Sequence, residues 1–559
     1  MTTVEVVGSG PAVESLVAAL ADRPVTVRRA EEPLVSAAEL AVVVGTVTAD
    51  TFETASDRAR ELDVPWVAVE LGGMGGVPVV DASIAGFGPG SGCYACLTER
   101  VRANVDQRAE PAEAPDSGTQ RFAGAVAGHR VGRGLSGEVP LAGSVVELPY
   151  AERQFLPVPG CACDEGRTWT LQGEDTTHER DPLARAEAGL DERVGVVTEV
   201  GETESFPAPY YLAQAASTGR FSDAAAPQQA AGVASDWDTA FMKALGESYE
   251  RYAAGVYRAA SFATLDTDSV RDAVGPAAFV GPETHDGSGD QSWLPADHLG
   301  TGETHHLPAE TVVYPPPTHA VRLGSTETDA VLSGLYEVIE RDAAMLAWYS
   351  TYDPLEIVVG DVDLFGTLRR RARSEGLDVT ALLLTQDVDV PVVAVAVERD
   401  QWPKFALGSA AGLDPEAVAA GALAEALQNW MELRGMGRTE AADADGAIGH
   451  YADRPDAAAS LTDAETRVPL SSVGPDDPPS GTAERTALVD RVTDAGLDPY
   501  ATRLTTRDLA AMGFEAVRVV CPAAQPLFFD DAYFGERAED VPEKLGFEAR
   551  PDRAHHPFP

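Results

Sequence analysis

Apolar residues along the first 90 positions fall into short runs that follow two rhythms. Residues 4–7, 25–28, 40–44 and 66–71 are compact stretches of strand length, whereas 13–20 and the polar stretch ending at Leu62 place apolar residues at helical spacing. This alternation predicts a small α/β unit with a parallel sheet over residues 1–90. From 104 to 143 the chain turns to Ala, Gly, Glu and Arg without periodicity, around AEPAEAPDSG, which predicts a loop or loose helical excursion inside a 91–189 segment. Residues 167–193 are again polar and charged. Apolar runs then return at VGVVTEV and PAPYYLA, placing a boundary near residue 190. Beyond it, strand signals at EIVVG, VPVVAVAVE and AVRVVCP alternate with helical periodicity over 239–254, 328–347 and 415–434. The stretch 190–559 therefore reads as one large α/β or α+β domain, without internal repeats.

A length of 559 residues suits that division, since single cores stop growing well below it. Charge changes the picture more. The net charge is −47, with 89 acidic against 42 basic residues, and only three lysines: Lys243, Lys404 and Lys544. Acidity spread over a whole chain is tolerable where salt shortens the screening length, and the composition resembles that of proteins from extreme halophiles. No Lys/Arg-rich run is present, which argues against nucleic acid as a partner. The start, MTTVEVVGSG, carries no basic segment followed by an apolar one, and no stretch reaches the ~18 apolar residues of a membrane span, so the cytoplasm is the expected location.

Four of the five cysteines form two tight pairs, Cys93/Cys96 in GSGCYACLTERV and Cys161/Cys163 in PVPGCACDEG. Four thiolates suffice for a closed structural zinc site, while a C-x-x-C alone also suits a redox pair. Cys521, on an apolar strand, reads as a core residue. After the first strand, Gly8-Ser9-Gly10 resembles the opening of a dinucleotide-binding unit, but Val13 stands at the third glycine position. A tight strand-to-helix turn explains the two glycines as well.

The most informative pattern is a repeated acidic pair. AFMKALGESYERYAA sets Glu247 and Glu250 three residues apart beside an apolar helical stripe, and AVLSGLYEVIERDAAML does the same with Glu337 and Glu340. Each pair alone could be ordinary surface charge. Two Glu-x-x-Glu-Arg motifs interrupting apolar faces would, on converging, supply hard oxygen ligands for magnesium ions that bridge ATP phosphates. A third helix, AGALAEALQNWMELR, sets Glu425 and Gln428 at the same spacing.

In this order, ALGESYERY, GLYEVIERDA, DVDVPVVAVAV, GSAAGLDPEAVAAGALAEALQ and VRVVCPAAQPLFF resemble the YcaO family over residues 190–559. The degenerate Gly-x-Gly unit followed by paired cysteines is similar to ThiF-related partner domains over residues 1–165. Together they imply a fused enzyme that forms azolines in a ribosomally made precursor peptide. A Cys, Ser or Thr side chain adds to the preceding amide carbonyl, the oxyanion takes the γ-phosphoryl of ATP, and phosphate leaves. The resemblance implies that Glu247, Glu250, Glu337 and Glu340 hold Mg2+ and that Ser235, Arg251, Glu425 and Gln428 join them at the nucleotide. It further implies that Arg341 steadies phosphates or carboxylates. The ending His556-Pro557-Phe558-Pro559 is similar to the proline-rich end of the peptide-cyclising branch, implying the Pro559 carboxylate as a catalytic base.

Two departures stand out. Thr318-His319-Ala320 replaces the family's Ser-Asn-Gly, and Gly232-Val233-Ala234 replaces Gly-Lys-Gly, removing a phosphate-contacting lysine. An external sulfur donor giving thioamides, and a non-catalytic peptide-docking scaffold, are the competing readings. A homodimer is the expected assembly, with a leader-binding protein and a flavin-dependent dehydrogenase as further partners.

Overall fold

The structure is a computed structural model. It describes residues 2–558 apart from 35–37, 106–114, 150, 165, 174, 176–177, 179, 267–269, 271, 283–289, 314–320, 361–362, 444–446 and 530, so Pro559 and Thr318-His319-Ala320 lie outside the described residues.

The amino-terminal unit is built on one seven-stranded sheet: β1 (Thr2–Val7), β2 (Val25–Ala30), β3 (Leu40–Thr46), β4 (Trp66–Leu71), β5 (Ala82–Phe87), β6 (Ser144–Glu147) and β7 (Ala151–Gln154), in the order β2-β1-β3-β4-β5-β6-β7. The first four strands are parallel, as the alternation predicts, and the last three are antiparallel. Val42, Val43, Ala68 and Val69 are buried on both faces of β3 and β4, as parallel strands covered on both sides require. Helices α1 (Pro11–Leu20), α2 (Thr51–Leu62) and α3 (Tyr94–Asn104) connect this part. The 91–189 stretch supplies the two last strands of the sheet.

The Gly8-Ser9-Gly10 turn has a structural explanation. Gly8 has φ 120°, and a Cβ there would stand 2.4 Å from the Val44 carbonyl oxygen on β3, so only glycine lets the chain leave β1 against its neighbour. Within 104–143, where a loop or loose excursion is expected, the structure instead has a 19-residue helix, α4 (Ser117–Leu135). Its glycines hide the helical signal. They also form its packing face: a Cβ at Gly124 would stand 1.9 Å from the Ala12 carbonyl oxygen, and one at Gly128 2.7 Å from the Ala19 methyl, so α4 lies directly on α1.

Three sheets form the rest. Strands β8 (Val197–Glu204), β9 (Tyr210–Ala215) and β10 (Gln229–Val233) make an antiparallel sheet. A second contains β11 (Ala263–Asp266), β12 (Asp290–His298), β13 (Thr304–Pro308), β14 (Val321–Gly324), and later β20 (Tyr500–Arg503) and β21 (Glu515–Val520), in the order β11-β12-β20-β21-β14 with β13 on β12. The third runs β18-β17-β16-β15-β19, from β15 (Leu355–Val358), β16 (Asp378–Leu383), β17 (Val392–Glu398), β18 (Phe405–Ala411) and β19 (Arg467–Pro469). Between them lie α5 (Pro182–Ala186), α6 (Trp237–Gly255), α7 (Ala309–Val312), α8 (Glu327–Trp348), α9 (Asp363–Ser374) and α10 (Pro415–Asp443, broken at Gly437). β17 shows how the layers share residues. Val392, Ala394 and Ala396 enter the core beneath α8, whereas Val393, Val395 and Val397 enter the core beneath α10.

The amino-terminal unit is tied to the rest by a fully buried charge cluster. Arg100 on α3 donates to the Pro157 carbonyl at 2.9 Å and pairs with Asp508, both side chains having 0% exposure; the Tyr252 hydroxyl on α6 donates to the same carboxylate at 2.6 Å. Removing one partner leaves the other charge buried and unpaired. Asp508→Ala should therefore cost about 3–5 kcal/mol, seen as a lowered thermal midpoint, and the double replacement Arg100→Leu with Asp508→Leu should recover part of that loss.

Candidate functional site

One cavity of about 1360 Å3 opens between β10, α6, β14, α8, β18 and α10. Both acidic helices start from firm caps. Asp236 accepts from the Thr239 amide at 3.0 Å at the head of α6, and Thr326 accepts from the Asp329 amide at 3.1 Å at the head of α8. Helical spacing then carries Glu247, Glu250 and Arg251 from α6, and Glu337, Glu340 and Arg341 from α8, to the cavity wall; Glu425 and Gln428 arrive from α10. These eight predicted site residues meet. Ser235 is not part of this wall; its hydroxyl donates to Asp236 at 3.4 Å and its carbonyl accepts from Arg371.

The carboxylates are held individually. Glu247 accepts from the Ala231 amide at 2.8 Å and from Arg251 at 2.5 Å. Glu250 accepts from the Leu323 amide at 2.9 Å and from Arg322 at 3.3 Å. Arg322 also stands 3.1 Å from Glu337, whose other oxygen pairs with Arg341 at 2.5 Å. Arg322 thus joins α6 to α8. Ser409 on β18 joins α8 to α10, because its hydroxyl donates to Glu340 and its amide to Glu425, each at 2.6 Å. Gln428 donates to Glu432 at 3.1 Å, and Tyr210 donates to the same oxygen at 3.1 Å.

This wall is short of positive charge. Burial pushes the Glu250 carboxyl up to about 7 against the opposing pull of Arg322. It pushes Glu425 up to about 8, with the Glu340 charge adding to the effect, and raises Glu340 as well. Glu337 Oε2 is buried without a hydrogen bond. Clustered carboxyls that resist ionising suit hard divalent cations, which supply the missing charge through oxygen ligands.

Arg322, Ser409 and Lys243 line the same cavity and were not marked by the sequence pattern. Arg322 and Ser409 are single residues without a periodic partner. Only the pairing of β14 with β21, and of β17 with β18, brings the first two into place.

The four paired cysteines meet elsewhere. Their sulfurs lie within 4.8 Å of one another, with Cys93–Cys96 at 3.8 Å and Cys93–Cys161 and Cys96–Cys163 at 3.5 Å, and no disulfide joins them. A tetrahedron of thiolates around a metal at about 2.3 Å has edges of about 3.8 Å, so the sulfurs fit one. The Val158 amide donates to Cys96 at 3.3 Å, and Arg507 donates to Cys163 at 3.1 Å. Cys521 is buried in the core beneath α8. A second cavity, of about 810 Å3, lies beside Trp348 and Arg553, and Phe558 lines it.

The model of a family described as YcaO cyclodehydratase, ATP- and Mg2+-binding, matches residues 231–525, over half of the chain, including α6, α8 and α10. A heterocyclase solved in complex with substrate and cofactor is similar in fold, with 20% identity, a TM-score of 0.74, and 98% of this chain and 83% of that one covered. The heterocyclase TruD is similar at 20% identity and a TM-score of 0.66, over 98% and 82% of the two chains. An uncharacterized protein of Methanothermobacter thermautotrophicus is 28% identical over 204 residues, 33% of this chain; the chain spans about half, 53%, of that protein's length. No helix among the described residues is long and apolar enough to cross a membrane.

The raised carboxyls give the cavity a pH signature. Groups with an ordinary value of 4.5 that hold their protons to about 7 and about 8 favour the folded state while protonated. That contribution is present below pH 4.5 and is lost as the pH rises through 7 to 8. Without divalent cations, the thermal midpoint should fall across this window. A cation needs the ionised carboxylates, so Mn2+ affinity, followed by paramagnetic resonance, should rise from pH 6 to pH 8 with proton release.

Proposed function

The chain belongs to the YcaO cyclodehydratase family, and on that premise we propose that it is an ATP-dependent enzyme closing Cys, Ser or Thr side chains of a ribosomally made peptide into thiazolines or oxazolines. The observation that carries this reading is the convergence of Glu247, Glu250, Glu337, Glu340 and Glu425 on one cavity large enough for a nucleotide and part of a peptide.

In the proposed reaction, the side-chain thiol or hydroxyl of the substrate gives its proton to a base, the role the resemblance implies for the Pro559 carboxylate, and adds to the carbonyl carbon of the preceding amide. The resulting oxyanion attacks the γ-phosphorus of ATP, and ADP leaves. Loss of the phosphorylated oxygen as phosphate, with the amide proton, gives the ring. An amide oxygen leaves poorly until it is phosphorylated, and a phosphoryl group in transfer needs positive charge set against its equatorial oxygens. Magnesium, held by Glu247, Glu250, Glu337 and Glu340, would neutralise part of the phosphate charge. Arg322 and Ser409 keep these carboxylates in register across three helices. Arg341, anchored on Glu337, presents a guanidinium to the same cavity.

The ThiF-like amino-terminal unit is proposed to hold substrate or partner, and the four sulfurs to bind a structural zinc ion that locks Cys161–Cys163 against α3. A salt-rich cytoplasm suits the acidic chain. A leader-binding protein and a flavin-dependent dehydrogenase would precede and follow the reaction.

The deciding assay mixes the folded, Mg2+-loaded chain with ATP and a Cys/Ser/Thr-rich peptide. Phosphate release that requires both substrates, with one water lost from the peptide per ring, is the expected result; an unchanged peptide mass would overturn the reading. Glu250→Gln or Glu340→Gln should lower kcat by about 10²–10³, the scale seen when one charge-stabilising group is lost from a site. Elemental analysis should find one zinc per chain, and Cys96→Ser should release it and lower the thermal midpoint.

A further inference from the structure

We infer that Lys243 is the phosphate-binding cation of the cavity, its ammonium taking outer phosphate oxygens of the nucleotide; this rests on the nucleotide reading given above. The other cations on the wall are engaged. Arg251 pairs with Glu247 at 2.5 Å, Arg322 with Glu250 at 3.3 Å and Glu337 at 3.1 Å, and Arg341 with Glu337 at 2.5 Å. Arg518 donates to the Val312 carbonyl at 2.7 Å. Lys243 makes no hydrogen bond, and no ion pair within 4.0 Å, among the described residues, and its exposed side chain lines the cavity.

Its position suits the task. Lys243 lies one helical turn before Glu247 and two before Glu250, so ammonium and carboxylates share one face of α6. The end of β10 is pressed onto this turn: a Cβ on Gly232 would stand 2.3 Å from both the Ala240 carbonyl oxygen and the Ala244 amide. There is no room for a side chain from position 232, and buried Val233 brings only methyl groups. The positive charge at this corner therefore comes from the helix.

Residue type supports the same conclusion. In a chain that uses arginine nearly everywhere, a lysine stands here, while Lys404 stands 3.9 Å from Asp453 and Lys544 lies in the last turn of the helix Arg537–Leu545, outside the cavity lining. An arginine fork would pair bidentately with the neighbouring carboxylates. A lysine is a compact point charge on a flexible stem, free to turn toward an arriving anion. Without this cation, a polyphosphate would enter a wall of carboxylates with divalent ions as its only uncommitted counter-charge.

The test is titration calorimetry of the full chain with Mg-ATP for the wild type, K243M and K243R, beside Mn2+ binding without nucleotide followed by paramagnetic resonance. K243M should weaken Mg-ATP binding at least about tenfold, equivalent to about 1.4 kcal/mol. K243R should weaken binding less than K243M does, since it keeps a positive charge although its fork can turn to the neighbouring carboxylates. Mn2+ affinity should be unchanged in both. Wild-type Mg-ATP affinity in K243M would overturn the inference and leave the nucleotide reading intact. So would a parallel loss of Mn2+ affinity, because the lysine would then only balance the carboxylates. A wild type that binds Mn2+ but no Mg-ATP would overturn both.

Discussion

The arrangement depends on one buried charge pair. Arg100 belongs to the helix that begins at the cysteine cluster, Asp508 to the short helix Arg507–Met512 before β21, and Tyr252 to the helix that carries Glu247 and Glu250. Burying an arginine and an aspartate at 0% exposure is costly, and only their mutual attraction and the bonds from Tyr252 and Pro157 offset it. Such a pair tolerates little displacement. Moving α3 relative to α6 would strand a charge, so the sulfur cluster and the carboxylate cavity hold one mutual position. Arg507 extends the connection by donating to Cys163 from the residue beside Asp508.

The cavity follows the opposite rule. Its carboxylates are brought together with less positive charge than they need, and burial holds Glu250, Glu340 and Glu425 toward their neutral forms. Arg322 and Ser409 act as braces, each tying two helices through two carboxylates. Divalent cations would relieve this electrostatic deficit through oxygen ligands.

Much of this was legible in the sequence where periodicity carries it. Glu247/Glu250, Glu337/Glu340 and Glu425/Gln428 interrupt apolar helical stripes, and all six line one cavity. The two cysteine pairs likewise announce a four-sulfur cluster. Single residues brought in by strand pairing were not legible: Arg322 and Ser409 have no spacing to recognise. Lys243 was not legible for another reason: it stands on the helix adjoining the strand end at Val233, not on the strand itself. The helix α4 was obscured by the same glycines that let it lie on α1, since local propensity and tertiary packing reward opposite residues there.

The strand β17 has a further consequence. Its valines at 393, 395 and 397 belong to one core, and Val392 with two alanines to another, so it works as a party wall with a reading frame. Inserting a single residue ahead of it would send β-branched side chains into the space fitted to alanine under α8 and leave holes under α10. Two cores would fail from one error. The sequence between β16 and β18 can therefore change its letters far more readily than its length.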